Sequence, residues 1–186
     1  MKRNFLILLF GLATNLIYAQ EKNRIETKKV FRVNFLNPAI ELEVPTGQYS
    51  AFSSALGIGY DGGYPDLTYA SGSGFIYVIS PFADFQHKWF YNLNKRDRNK
   101  RKTYNNSGNF VSLRFKTRGK SIAENVTRTS DFDFGFGPTW GIQRNFGKNF
   151  HFLFDLGPQY YFDTKGNGNI WPIILQLNLG YNLKSK

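Results

Sequence analysis

The segment Phe132-Asp133-Phe134-Gly135-Phe136-Gly137-Pro138-Thr139-Trp140-Gly141-Ile142 alternates large apolar residues with small or polar ones at a period of two. Successive side chains of a β-strand point to opposite faces of a sheet, so this segment predicts a strand with one greasy face and one small, polar face. An α-helix would need a period near 3.6, which is absent here.

The pattern recurs along the chain. Phe31, Val33 and Phe35 share a face, as do Ile40, Leu42 and Val44, which stand opposite Glu41 and Glu43. The phase flips by one residue across Asn37-Pro38, which predicts either a bulge or a tight hairpin. Further strands are expected over about Tyr49 to Tyr60, Ser73 to Tyr91, Ser107 to Thr117, Asp131 to Arg144, Phe150 to Phe162 and Ile170 to Leu183. In the last, Trp171, Ile173, Leu175, Leu177, Leu179, Tyr181 and Leu183 are expected to face together. Loops rich in Gly, Asn or charge separate them, with a short hairpin turn at Asn145–Asn149. This gives seven strands, or eight if Asn37-Pro38 closes a hairpin. The even strand number of single-chain bacterial barrels favours eight.

Residues 1–19 read as a signal peptide. Lys2 and Arg3 form a basic start, and the uncharged run from Phe5 to Ile17 is too short to span a bilayer as a helix. Ala19 is the expected last residue before cleavage, and residues 20–29 form a polar N-terminal arm. Residues 30–186 make one domain. Without the leader, 22 basic residues stand against 13 acidic ones, a formal charge of +9 in place of +11. There is no cysteine, which excludes disulfides, thiol chemistry and a lipid-modified cysteine.

Alternation alone does not say which face is inside. A soluble, lipocalin-like barrel would bury the greasy face around a ligand. More than thirty large apolar residues lie on that face. The interior of an eight-stranded barrel is only just wide enough to be filled by side chains. The small, polar face is therefore expected inside and the aromatic face against lipid, which makes the fold class all-β, an antiparallel up-and-down transmembrane barrel. Glu41, Glu43, Asp84, Lys88, Arg114, Lys116, Asp131, Asp133 and Asp155 then project inward as an ion-pair network, because buried charges must pair. Tyr60, Trp89, Tyr91, Tyr160, Trp171 and Tyr181 are expected as interface aromatics.

Four segments carry a resemblance. They are Asn34-Phe35-Leu36-Asn37-Pro38 followed by Glu41 and Glu43, Leu56-Gly57-Ile58-Gly59-Tyr60, Lys88-Trp89-Phe90-Tyr91-Asn92, and Asn106-Ser107-Gly108-Asn109-Phe110. In these the chain resembles the small, uncharacterised outer-membrane β-barrel proteins of Gram-negative bacteria, a domain of unknown function. The resemblance implies a small barrel in the cell outer membrane and supplies no activity. The terminal Leu177-Asn178-Leu179-Gly180-Tyr181-Asn182-Leu183 looks like the last strand that barrel-assembly machinery recognises, although Lys184-Ser185-Lys186 trail it.

Chemistry-bearing motifs are few. There is no HExxH, P-loop or dinucleotide fingerprint, so no cofactor or metal is expected. By phase His151 faces the lumen and His87 faces lipid, and neither has a serine at a spacing that suggests a catalytic pair, as a lipid A-modifying barrel enzyme would need. The run Lys95-Arg96-Asp97-Arg98-Asn99-Lys100-Arg101-Lys102 reads as a nucleic-acid patch elsewhere, but behind a secretory leader it does not. Counting connections back from a periplasmic C-terminus puts residues 95–102 in the periplasm, facing anionic headgroups or peptidoglycan. The expectation is a monomeric, non-enzymatic barrel with a structural or surface-binding role, surrounded by outer-membrane lipid.

Overall fold

The computed structural model describes residues 25–61, 67–68, 77–125, 127–128 and 130–185. The expected signal peptide, residues 20–24 of the arm, most of the loop after Asp61, the start of the strand expected from Ser73, and Lys186 lie outside the described residues.

Eight long strands carry the fold: β1 (Val30–Asn34), β2 (Ala39–Gly47), β3 (Ser50–Asp61), β4 (Val78–Phe90), β5 (Asn109–Arg118), β6 (Asp133–Phe146), β7 (Phe150–Asp163) and β8 (Gly168–Ser185). Each pairs antiparallel with its neighbour in the chain. β1 also pairs with β8, from Val30 opposite Ser185 to Asn34 opposite Gly180, which closes the sheet into a ring. Asn37-Pro38 lies in the β1–β2 turn, so the one-residue phase flip marks a hairpin and the count is eight. With an even count, both chain ends emerge on the same side of the ring.

The turns follow local chemistry. Gly147, at a backbone φ of +58°, opens the β6–β7 turn in a conformation that costs glycine nothing. The basic stretch after Tyr91 contains a short helix, α1 (Leu93–Arg98), which buries Leu93. The arm is not loose over its last residues: Thr27 is buried and donates through its hydroxyl to the carbonyls of Gly47 (2.7 Å) and Ser50 (3.0 Å).

The strands present alternate burial of opposite sense to a soluble core. Inward positions are polar or small, and outward positions carry exposed Leu56, Ile58, Leu113, Trp140, Leu177 and Leu179. Among the described residues two apolar clusters are buried: a small one of Ala39, Ala55 and Phe82, and a larger one at the end where the chain termini emerge. Phe90, Leu93, Phe110, Leu153 and Ala51 are buried there, and Ile25 and Tyr49 pack against them.

β8 extends well past its five-residue partner β1. In the sheet ladders, its residues 168–177 pair with β7 alone. Its register against β7 shifts between Gly157 and Gln159. There Trp171 pairs with Gln159 and Ile174 with Gly157, so three steps on β8 oppose two on β7. Pro172 sits in this bulge, where a missing N–H does least harm. The bulge corrects the expected phase of β8. Trp171 falls on the face of Gln159 and Ile174, opposite Leu175, and is half-buried, not lined up outside with the leucines.

At Gly157 a Cβ would lie 2.1 Å from the Pro138 carbonyl oxygen on β6, so the two strands approach too closely for any side chain. Gly157→Val is expected to destabilise the ring by about 1–3 kcal/mol through overpacking, seen as a lower denaturation midpoint. Gly147→Asn, where nothing lies within 4 Å, is expected to leave that midpoint nearly unchanged because Asn tolerates a left-handed backbone.

Candidate functional site

The inward faces of β1, β2, β4 and β6 assemble a fully enclosed charge cluster. Arg32 on β1 stands opposite Glu41 on β2, and Glu43 follows two residues later on the same face. Arg32 Nη1 lies 3.0 Å from Glu41 Oε1, and Nη2 lies 3.4 Å from Glu43 Oε1. Lys88 Nζ on β4 reaches Glu43 Oε2 at 2.8 Å and Glu41 Oε1 at 3.7 Å. Two cations thus face two carboxylates, with Arg32, Lys88 and Glu43 sealed from solvent.

The remaining hydrogen-bonding capacity of the carboxylates is satisfied by neutral groups. Ser53 Oγ donates to Glu41 Oε1 at 2.6 Å, and Asn34 Nδ2 donates to Glu41 Oε2 at 2.8 Å. Gln143 accepts from Lys88 and donates to Glu43, while Asn106 donates to Glu43. His151 is buried beside the cluster, its Nε2 3.4 Å from Arg32 Nη1 and its Nδ1 without a hydrogen-bond partner.

Two further groups continue the network away from the termini. Arg114 on β5 forks onto both oxygens of Asp84 on β4 and reaches Asp155 on β7 at 3.4 Å. Gln86 Nε2 donates to Asp155 at 3.0 Å, Ser112 at 2.8 Å and Thr139 at 3.1 Å. Nearer the far rim, Arg118 and Arg128 both pair with Asp133, at 2.6 and 2.7 Å. Lys116 is half-buried, its Nζ 5.1 Å from the Phe82 ring centroid. Beyond this lies a cavity of about 350 Å³, lined among others by Asn37, Tyr60, Lys116, Asp133 and Trp171.

Seven of the nine residues read as inward charges are therefore buried in these clusters. Lys116 borders the cavity, and Asp131 is exposed outside β6, which starts at Asp133, so it does not join the network. Its expected inward direction assumed a strand two residues longer than the one formed. Arg32 and Arg118 were not singled out by the sequence reading, although their positions between Phe31 and Val33, and two residues after Lys116, carry the signal.

Of the expected interface aromatics, Tyr60, Trp89, Tyr91 and Tyr160 are exposed and Tyr181 is half-buried. Trp140, also exposed, donates its indole N–H to the Tyr91 hydroxyl at 2.8 Å. A second arrangement was not foreseen. Phe52, Phe85, Phe115, Phe134, Phe162 and Tyr160 stack successively across β3 to β7, with centroids 5.0–6.5 Å apart and planes within 25°. The belt runs diagonally to the strands, since Phe52 stands opposite His87 while stacking on Phe85.

His87 lies on the outer face, its Nε2 2.9 Å from the Thr46 hydroxyl and its ring 4.2 Å from Trp89. Among the described residues no group of three His, Asp or Glu is placed to hold a metal ion. The fold and its interior define an all-β protein whose strands close around a charged, hydrogen-bonded lumen. No protein family matches the chain, and comparison with curated proteins and with solved structures returns no match.

Removing one partner of a buried ion cluster strands the opposite charge. Lys88→Met is expected to destabilise the fold by about 3–5 kcal/mol. The double variant Lys88→Met/Glu43→Gln is expected to recover part of that loss, because the two sites share one interaction. Urea midpoints of the four members of this cycle check both statements.

Proposed function

We propose that this chain is a small outer-membrane β-barrel, exported by a cleaved leader, with a structural or surface-binding role and a plugged, non-conducting lumen. The observation that carries the reading is the inverted interior. Charged side chains such as Arg32 and Lys88 are enclosed, while leucine, tryptophan and phenylalanine cover the outside. A protein in water would invert this arrangement; one in lipid requires it, because hydrocarbon favours apolar side chains and forbids open sheet edges.

Dimensions support the same reading. A transmembrane strand needs about 9–11 residues. β3, β4 and β6 have 12, 13 and 14 residues, and β8 has 18. Aromatics sit toward both ends of the outer surface, with Trp89, Tyr91, Trp140 and Tyr181 at one and Tyr60 and Tyr160 at the other, as girdles do. The apolar cluster around Phe90 and Phe110 and the ion pairs beyond it occupy the interior at the termini-bearing end, which supports a plugged lumen.

The deciding experiment is cell fractionation followed by gel mobility of detergent-extracted protein with and without boiling. Recovery in the outer-membrane fraction, with an unboiled band that shifts on heating, is the expected result. Release into the periplasm without detergent would overturn the reading. In planar bilayers the folded protein is expected to give no stepwise conductance, and steady single-channel steps would refute the plugged lumen.

A further inference from the structure

The basic segment after Tyr91 is left unexplained by a barrel that only fills its own interior. It is not a floppy tail. Leu93 is buried in the apolar cluster, and Arg96 clips the segment shut by donating from Nε (3.2 Å) and Nη2 (2.9 Å) to the Lys102 carbonyl. Asn92 Oδ1 accepts from the Asn109 amide at 2.7 Å. Asn106 then ties the segment to Glu43 in the lumen and, at 2.8 Å, to the Lys28 carbonyl. A fixed lobe therefore holds Lys95, Arg98, Lys100, Arg101 and Lys102 exposed on the rim.

The rest of that rim carries the same sign. Lys148 tips the β6–β7 hairpin, Lys184 lies near the end of β8, and Lys28 and Lys29 precede β1, all exposed. Against them stand the exposed acids Glu26 and Asp97. At the opposite end the exposed described charges balance, with Lys120 and Lys165 against Glu124 and Asp131. The cations also crowd one another: partial burial, and then the neighbouring charge of Arg101, hold the Arg96 guanidinium below its ordinary value.

Depth decides what such a rim meets. Lys148 is bracketed by Phe146 and Phe150, which are 58% and 59% exposed, and Lys184 follows Leu183, 55% exposed. α1 begins two residues after Tyr91, whose hydroxyl caps the Trp140 indole. Cations interleaved with exposed apolar side chains sit where acyl chains give way to headgroups. Charges meant for a cell-wall polymer beyond the membrane would project clear of that apolar surface.

We propose that the termini-bearing rim is a docking surface for anionic phospholipids, with the α1 lobe and Lys148 gathering their phosphodiester headgroups. The inference rests on the barrel lying in a bilayer. Headgroup phosphate is attracted to each Lys or Arg near the surface and is screened within a Debye length. The lobe's rigidity adds to this by sparing the entropy of ordering long cationic side chains on a mobile loop.

The test uses the full-length folded protein in nanodiscs of mixed phosphatidylglycerol and phosphatidylcholine, with lipid retained through native mass spectrometry as the readout. Wild type is expected to retain phosphatidylglycerol over phosphatidylcholine by about tenfold, a preference that falls as salt is raised. The variant Lys95→Gln/Arg98→Gln/Arg101→Gln/Lys148→Gln, all at exposed positions, is expected to lower that preference several-fold, with Lys100, Lys102 and the other rim cations holding the remainder. A companion Lys95→Arg/Lys148→Arg variant should keep the wild-type preference. Equal retention by wild type and the four-site variant would overturn the proposal. So would selective sedimentation of wild type with cell-wall sacculi in the absence of a lipid preference, which would assign the rim to peptidoglycan. Failure of the protein to enter nanodiscs at all would instead refute the barrel reading, so the two failures are distinguishable.

Discussion

Everything in this molecule depends on a narrow ring interior lined mainly by buried polar and charged side chains that must satisfy one another. Eight strands leave space for one layer of side chains meeting across the axis. Arg32, Glu41, Glu43 and Lys88 fill that space from three strands and touch at 2.8–3.7 Å. Their partners arrive from far along the chain: Gln143 meets Glu43 across 100 residues and Arg32 meets His151 across 119. The cluster is complete only when the ring has closed in the correct register. A slip by one residue would turn Glu41 and Glu43 outward and bring Ile40 and Leu42 in.

That dependence clarifies what the ion pairs contribute. Desolvating two carboxylates and two cations offsets much of their mutual attraction, so the cluster is a weak source of net stability. Its strength is discrimination, because every wrong pairing leaves a sealed charge without a partner. Affinity between neighbouring strands comes from their ladders and from the outer face. There the stacked rings from Phe52 to Phe162 tie five strands together along a line oblique to the hydrogen bonds. Interior and exterior thus divide the work. The lumen rejects misregistered rings, and the aromatic belt links each pair of neighbouring strands from β3 to β7 through their outer side chains.

Much of this was legible in the chain because a period of two is hard to counterfeit. The alternation around Phe132 and Phe152 assigned β6 and β7 and sorted Asp84, Lys88, Arg114, Asp133 and Asp155 to one face. What escaped it are events that alternation does not encode. The β8 bulge at Pro172 moves Trp171 to the other face through a register shift set by the neighbouring strand. Asp131 fell outside because strand ends depend on where pairing partners stop. The helix in the basic segment was hidden by its charge, although Leu93, the one apolar residue among those cations, is what docks it. Arg32 was within reach, since a basic residue between two outward apolar residues one strand away from Glu41 has few other places to go.

The ring also has a direction. An even strand count brings both termini to one rim, and that rim is the tightly built one. Thr27 and Asn106 fasten the chain's entry to the β2–β3 turn and to Glu43, and the rings of Phe90 and Phe110 meet edge to face at 5.7 Å to seal the lumen beneath them. Moving away from it, the interior loosens from the sealed Arg32–Glu43 cluster to the forked Arg114–Asp84 pair and finally to the cavity beside Lys116. The basic lobe belongs to the rigid end because only there is it coupled to the core: the same Asn106 side chain holds both Glu43 and the arm that precedes β1. With the interior packed at this end and the cavity lying toward the other, the charges near the termini are presented at the rim. A rim that presents charge at fixed positions has to be braced by the packed interior below it, as this one is.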